Sequence, residues 1–129
     1  WLLFGEDKMS KSRGNVIYAD DLTQIFGVDA VRYYLLSEMP HANDGSITYE
    51  AMIDRFNSDL ANTLGNLVNR TVAMVNKYFG KDLQNPNATD AVDAELCDMC
   101  TKTVKDVAEA MHELKVADSL EYIMGCSKI

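Results

Sequence analysis

The stretch YEAMIDRFNSDLANTLGNLVNRTVAMVNKYF, residues 49–79, is the longest unbroken pattern in the chain and decides its fold class. Thr48 before it is a good N-cap, no proline interrupts it, and Gly80 follows where a helix can end in a left-handed residue. At roughly 100° per residue, Leu60, Leu64, Leu67, Val68, Thr71, Met74, Val75 and Tyr78 fall on one side and are expected to be core. Asn62, Asn66, Asn69, Arg70, Ala73, Asn76 and Lys77 fall on the other. Gly65 inside the run costs about 1 kcal/mol against alanine, so a close helix–helix contact is expected there. Working outward, Asp93 to Leu114 reads as a further helix and Val116 to Ile129 as the start of another. Between them and the long helix lies a loop, Lys81 to Asp90, marked by Asn85-Pro86-Asn87.

Upstream the pattern changes. Residues 1–18 read as extended chain, with Trp1-Leu2-Leu3-Phe4 as the end of a buried strand. Asp20 or Asp21 is expected to cap a short helix that stops at Gly27 in the left-handed conformation. Asp29 is expected to cap a second helix through about Met39, with Tyr33, Tyr34 and Met39 packing this piece against a neighbouring domain. Pro40 to Gly45 is a turn cluster, and Ser46-Ile47-Thr48 an extended bridge. The fold expected is mainly α: an antiparallel helical bundle over 49–129, preceded by a small α/β connecting piece over 1–48.

With 129 residues there is room for one domain, or one small domain and part of another. Trp1 opens with no cap or turn signal, and residues 126–129 stop within a helical pattern, so both ends are expected to continue in a longer polypeptide. No stretch has the length and apolarity of a membrane span or a signal peptide. Cys97 and Cys100 share a helix face, but no second Cys/His pair completes four ligands, so no metal site is expected and the thiols fit a reducing cytosol. Met99, Met111 and Met124 are expected core filler, and the acidic helix from Asp93 to Glu121 a solvated face.

The net charge of −8 argues against indiscriminate nucleic-acid binding and against DNA as a partner. Its distribution is more informative. From Lys8 to Ala19, and again from Leu60 to Lys81, there is no acidic residue. Two basic islands on an acidic chain suit selective phosphate contact. The first island is Lys8-Met9-Ser10-Lys11-Ser12, followed by Arg13-Gly14-Asn15. Two lysines three residues apart, interleaved with serines, form a short mobile arm that brings point charges and N–H donors onto a polyphosphate. Gly14 lets the backbone approach closely.

This run is the signature loop of the class I aminoacyl-tRNA synthetases, and the chain resembles that family, its methionyl group most closely, from Trp1 through Phe79. The resemblance implies a Rossmann-like catalytic domain of which residues 1–48 are the end, and an anticodon-binding bundle over 49–129. It implies ATP-dependent activation of methionine, with Mg²⁺ in the complete enzyme, and transfer to tRNA(Met) in the cytoplasm. Lys11, assisted by Lys8, would be the catalytic cation. Lys8, Met9, Ser10, Lys11, Ser12 and Arg13 would bind ATP. Asn66-Leu67-Val68-Asn69-Arg70 matches the anticodon-reading helix of the methionyl group, so Asn66 and Arg70 would contact the anticodon, supported by Asn62. The family's histidine-containing ATP turn is absent, because His41 and His112 lie in other contexts, and the chain alone is expected not to catalyse activation. The alternatives are a synthetase for isoleucine, leucine, valine or cysteine, a non-catalytic tRNA-binding module, and an RNA-independent structural bundle.

Overall fold

In a computed structural model, residues 1–128 are described, except 41, 81, 82 and 85–87. His41, Lys81, the Asn85-Pro86-Asn87 marker and Ile129 therefore lie outside the described residues. The chain divides into two compact units, Trp1–Leu60 and Ala61–Ile129.

The first unit is the α/β piece. Strand β1 (Leu2–Phe4) turns at Gly5-Glu6 into β2 (Asp7–Lys8), its antiparallel neighbour. Helices α1 (Ala19–Phe26) and α2 (Val28–Glu38) then carry the chain across to β3 (Gly45–Ile47). Because β3 runs parallel to β1, pairing Leu2 with Gly45 and Phe4 with Ile47, a helical crossover is the connection such a pair needs. The sheet order is β2-β1-β3. The expected strand is present, but Trp1 is 79% exposed and Leu2 46%, so its apolar side chains are not buried in this chain.

Capping differs from expectation. Helix α1 follows Tyr18 and α2 follows Gly27, with no side-chain cap on either. Asp20, Asp21 and Asp29 stand in the first turns instead. There the carboxylates still complement the positive helix N-terminus, which is why the sequence signal looked like a cap. Gly27 has the positive φ of 83° anticipated, but its ψ of 152° is extended rather than left-handed helical. That combination is open almost only to glycine, and it lets one residue serve as the end of α1 and the start of α2.

The core of this unit is Leu22, Val31, Tyr34, Ile47 and Met52, with Met9, Ile17, Phe26, Leu35, Met39 and Phe56 packed against it. Phe56 meets Phe26 and Tyr34 edge-on, with ring centroids 4.9 and 6.3 Å away. Tyr34 and Met39 thus pack into the unit's own core rather than outward. Tyr33 donates to the buried Asp59 Oδ2 at 2.7 Å, which also accepts from Arg55 Nη1 at 3.0 Å, while Arg55 Nη2 pairs with Glu38. Burial and the Asp59 hydrogen bond push the Tyr33 phenol well above its ordinary pKa, keeping it a donor. This polar clamp ties α2 to the long helix.

That long helix begins as α3 (Tyr49–Arg55), capped by Thr48 Oγ1, which accepts from Ala51 N at 3.1 Å. It continues as a π-helical segment, Phe56–Gly65, and then as α4 (Asn66–Tyr78). The π segment was not legible in the residue pattern. Its wider turns break the 100° periodicity assumed for residues 56–65. Gly65 is exposed at its end rather than buried in a close contact. Gly80, at φ 69°, follows the helix as expected.

In the second unit, α5 (Ala91–His112) and α6 (Val116–Cys126) form an antiparallel helical pair. Asp90 and Asp93 make a reciprocal capping box at the start of α5. Its other end lies two residues short of Leu114: Leu114 N donates to Met111 O at 3.1 Å and Lys115 N to Ala110 O at 2.8 Å. This is a Schellman closure with leucine, at φ 60°, where glycine is usual. Because Leu114 is 75% exposed, little packing offsets the strain. Leu114→Gly is expected to stabilise the protein by up to about 1 kcal/mol, read as a higher urea midpoint at unchanged slope. A lower midpoint would show that the leucine contributes packing here.

Ala110, Ser119 and Met124 are the buried residues of this pair. Met99 is half-buried and Met111 is 47% exposed, so only Met124 is the core filler expected. The apolar side of α4 is also not core: Leu67, Val68, Met74 and Tyr78 are between 44% and 66% exposed. No residue of α4 is buried. The molecule is mainly α, with one small three-stranded sheet.

Candidate functional site

The basic signature run occupies the end of β2 and the turn that follows. Lys11–Arg13 form a single 3₁₀ turn, held by Arg13 N donating to Ser10 O at 3.1 Å and Gly14 N to Lys11 O at 3.3 Å. Gly14 closes it at φ 69° and ψ 13°, a left-handed conformation that accounts for glycine here; nothing lies within 4 Å of where a Cβ would sit. Asn15 then acts as a staple. Its Oδ1 accepts from Ser10 N at 2.8 Å and its Nδ2 donates to Lys8 O at 3.3 Å, so one amide pairs with the backbone on both sides of Met9. The Met9 side chain turns the other way and packs on the core, anchoring the run from beneath.

This arrangement sorts the polar side chains. Lys8 Nζ rests over the Trp1 ring, 4.0 Å from its centroid. Arg13 faces Asp7 at 3.7 Å, an exposed pair of small energetic weight. The Ser10 and Ser12 hydroxyls bond each other at 2.8 Å. Lys11 is exposed and, among the described residues, its side chain has no ion-pair or hydrogen-bond partner. The turn therefore presents one unengaged ammonium, with two hydroxyls and two further cations around it. That set suits an anionic oxygen cluster such as a polyphosphate. The staple role of Asn15 goes beyond the sequence expectation; its one local signal is an asparagine directly after a turn-closing glycine.

The second candidate lies in the Ala61–Ile129 unit. An open cleft of about 440 Å³ is lined by Asn62, Thr63, Asn66, Leu67, Arg70, Thr71, Met74, Ser127 and Lys128. All three residues expected to read RNA are therefore together in one concave surface. Asn66 Nδ2 donates to Asn62 O at 3.0 Å, and the Asn66 side chain is exposed. Arg70 is exposed, with no ion-pair partner among the described residues. Asn69, Asn76 and Lys77, placed on the same stripe by the helical wheel, do not line the cleft. The π-helical turn at Asn62 changes the register between it and α4. Leu67, Thr71 and Met74, expected on the opposite, core side, line the cleft as well, and Thr63, Ser127 and Lys128 join them. The last two come from beyond the end of α6, and no local pattern could have placed them beside α4. Chemically the cleft offers amides, hydroxyls and two cations over an apolar floor of Leu67 and Met74, a surface able to take an unstacked base and its phosphates.

Among the described residues no group of three or more His, Cys, Asp or Glu side chains is placed to hold a metal ion. Among the same residues, no helix is long and apolar enough to cross a membrane.

Comparison with known proteins adds an independent line. The family model described as tRNA synthetases class I (M) matches residues 1–72, more than half of the chain. The chain belongs to the class I tRNA synthetases. Within that family it is 47% identical over 123 residues to a methionine–tRNA ligase of Clostridium perfringens, covering 95% of this chain and 19% of the relative. A methionine–tRNA ligase of Halalkalibacterium halodurans is 48% identical over 124 residues, with the same coverage. The chain thus spans about a fifth of the length of these synthetases. Among solved structures it is similar to a methionyl-tRNA synthetase of Mycobacterium tuberculosis bound by methionyl-adenylate. The TM-score is 0.87 at 37% identity, over 97% of this chain and 25% of that one. The family match over residues 1–72 includes the signature turn and, of the cleft, Asn62, Thr63, Asn66, Leu67, Arg70 and Thr71.

Proposed function

We propose that this chain serves a methionine–tRNA ligase, which activates methionine with ATP to the adenylate and transfers it to tRNA(Met). Residues 1–48 are the end of the catalytic domain with its phosphate-binding turn, and 49–129 are part of the anticodon-binding domain. The observation that carries this reading is that Asn62, Asn66 and Arg70, separated along a helix of mixed π and α geometry, converge on one cleft in a chain 47% identical to methionine–tRNA ligases.

Activation expels pyrophosphate from ATP, so negative charge spreads over the α-phosphate and the leaving group. Positioned cations stabilise such a transition state. Lys11 is the mobile point charge for this role and Lys8 assists once drawn off Trp1. Ser10, Ser12, Arg13 and the backbone at Met9 complete the ATP contact. The turn supplies cations and hydroxyls rather than carboxylates, so it does not fit Mg²⁺; the ion that accompanies ATP would be held elsewhere in the complete enzyme. In the cleft, Arg70 binds phosphate or stacks on a base, while Asn66 and Asn62 address base edges. The cytoplasm is the compartment where such an enzyme meets its tRNA.

The test is binding of the protein to an anticodon stem–loop bearing CAU, against one with a changed anticodon, at low salt where phosphate contacts are strong. CAU is expected to bind more tightly, and Arg70→Ala to weaken it by about 1–3 kcal/mol. Equal binding of both stem–loops, unchanged in Arg70→Ala, would remove the cleft from anticodon reading.

A further inference from the structure

Three thiols lie in the helical pair: Cys97 and Cys100 on α5 and Cys126 at the end of α6, none of them in a disulfide. The Sγ atoms of Cys100 and Cys126 stand 3.7 Å apart. A disulfide brings two sulfurs to about 2.05 Å, so the remaining approach is only ~1.7 Å. Cys100 is exposed and Cys126 half-buried, which leaves the pair open to a small oxidant. Cys97 is one helical turn from Cys100 on the same face, but the close sulfur contact is between Cys100 and Cys126.

We propose that Cys100 and Cys126 form a reversible dithiol site, closed by a small-molecule disulfide such as glutathione disulfide, that fastens the end of α6 to α5. The thiolate of one cysteine attacks a sulfur of the oxidant, breaking its S–S bond and releasing one glutathione thiolate, which takes up a proton. The other cysteine, as its thiolate, attacks the protein sulfur of the mixed disulfide and expels the second glutathione. Two protein thiols are oxidised, one glutathione disulfide is reduced to two thiols, and protons balance. The hydrogen bond to Cys126 is the main cause holding the Cys100 thiol above its ordinary pKa, so closure accelerates as pH rises.

The position gives closure a consequence. Cys126 directly precedes Ser127 and Lys128, which form one wall of the cleft that Arg70 lines. Bridging Cys126 to α5 restrains that wall. This consequence rests on the proposed reading of the cleft; closure itself does not.

The experiment treats the reduced protein with glutathione disulfide and maps its peptides under non-reducing conditions. Expected are a loss of two hydrogens in intact mass and one cross-linked peptide joining Cys100 to Cys126, reversed by dithiothreitol and unaffected by Cys97→Ser. Cys126→Ser should abolish the cross-link and trap a glutathione adduct. Linkage through Cys97, linkage only between molecules, or a protein that stays reduced would each overturn the proposal. A second arm compares CAU stem–loop binding by the oxidised and reduced forms, with Cys126→Ser as the unresponsive control. A several-fold change in Kd only where the bridge forms supports the clamp on the cleft wall. An unchanged Kd with the bridge present overturns the clamp and leaves the dithiol site standing.

Discussion

Lys11→Ala in a full-length synthetase carrying this chain is expected to slow adenylate formation by ~10²–10³, the scale of removing one positioned donor from a transition state. The structure motivates the choice of lysine. Lys8 already rests on an aromatic ring and Arg13 already faces a carboxylate, whereas Lys11 projects from the 3₁₀ turn with no partner among the described residues. Its ammonium is the one that reaches a phosphate without first breaking a contact. Lys8→Ala should therefore cost less than Lys11→Ala, since part of its interaction with ATP replaces one with Trp1. Single-turnover formation of the adenylate is the measurement, with tRNA binding as the control for folding. If the activation rate is unchanged while the protein remains folded, Lys11 has no part in the chemistry.

The second large effect concerns stability. Met52 is completely buried, and Leu22, Val31, Tyr34 and Ile47 share its core. Met52→Ala should destabilise the Trp1–Leu60 unit by about 2–5 kcal/mol, through lost burial and the cavity left behind. Met52→Leu nearly conserves volume and should cost less than about 1.5 kcal/mol. Urea denaturation of the three proteins distinguishes these outcomes. A loss well under 1 kcal/mol for the alanine variant would mean that the site collapses to fill the gap. The functional corollary follows from Met9, which packs against this same cluster. Loosening the core frees the base of the signature turn, so Met52→Ala should also weaken ATP binding under conditions where the protein is still folded.

The two candidate sites were legible to different degrees. The signature turn was recognisable because its chemistry is written in consecutive residues: cations, hydroxyls and a glycine whose left-handed φ is a local property. The residue that holds the turn in shape, Asn15, was harder to see, because its two hydrogen bonds reach back to Ser10 and Lys8. In the cleft, Asn66 and Arg70 are one helical turn apart and share a face in any α-helix. Ser127 and Lys128 join them only through the path of α5 and α6.

By itself, the sequence determined the helices and most of their ends, since periodicity, Thr48, Gly80 and the Asp90 region act within a turn of where they lie. It also determined the synthetase family, through a five-residue chemistry that few other contexts require. Only the tertiary structure decided three things. The parallel pairing of β1 with β3 joins residues more than 40 positions apart. The π-helical stretch sits beside the clamp of Tyr33, Arg55 and Asp59, interactions that no wheel diagram contains. The apolar face of α4 reads as core in any amphipathic analysis, yet it is exposed in this chain. Periodicity records which side of a helix is apolar; burial depends on what the rest of the fold places against it.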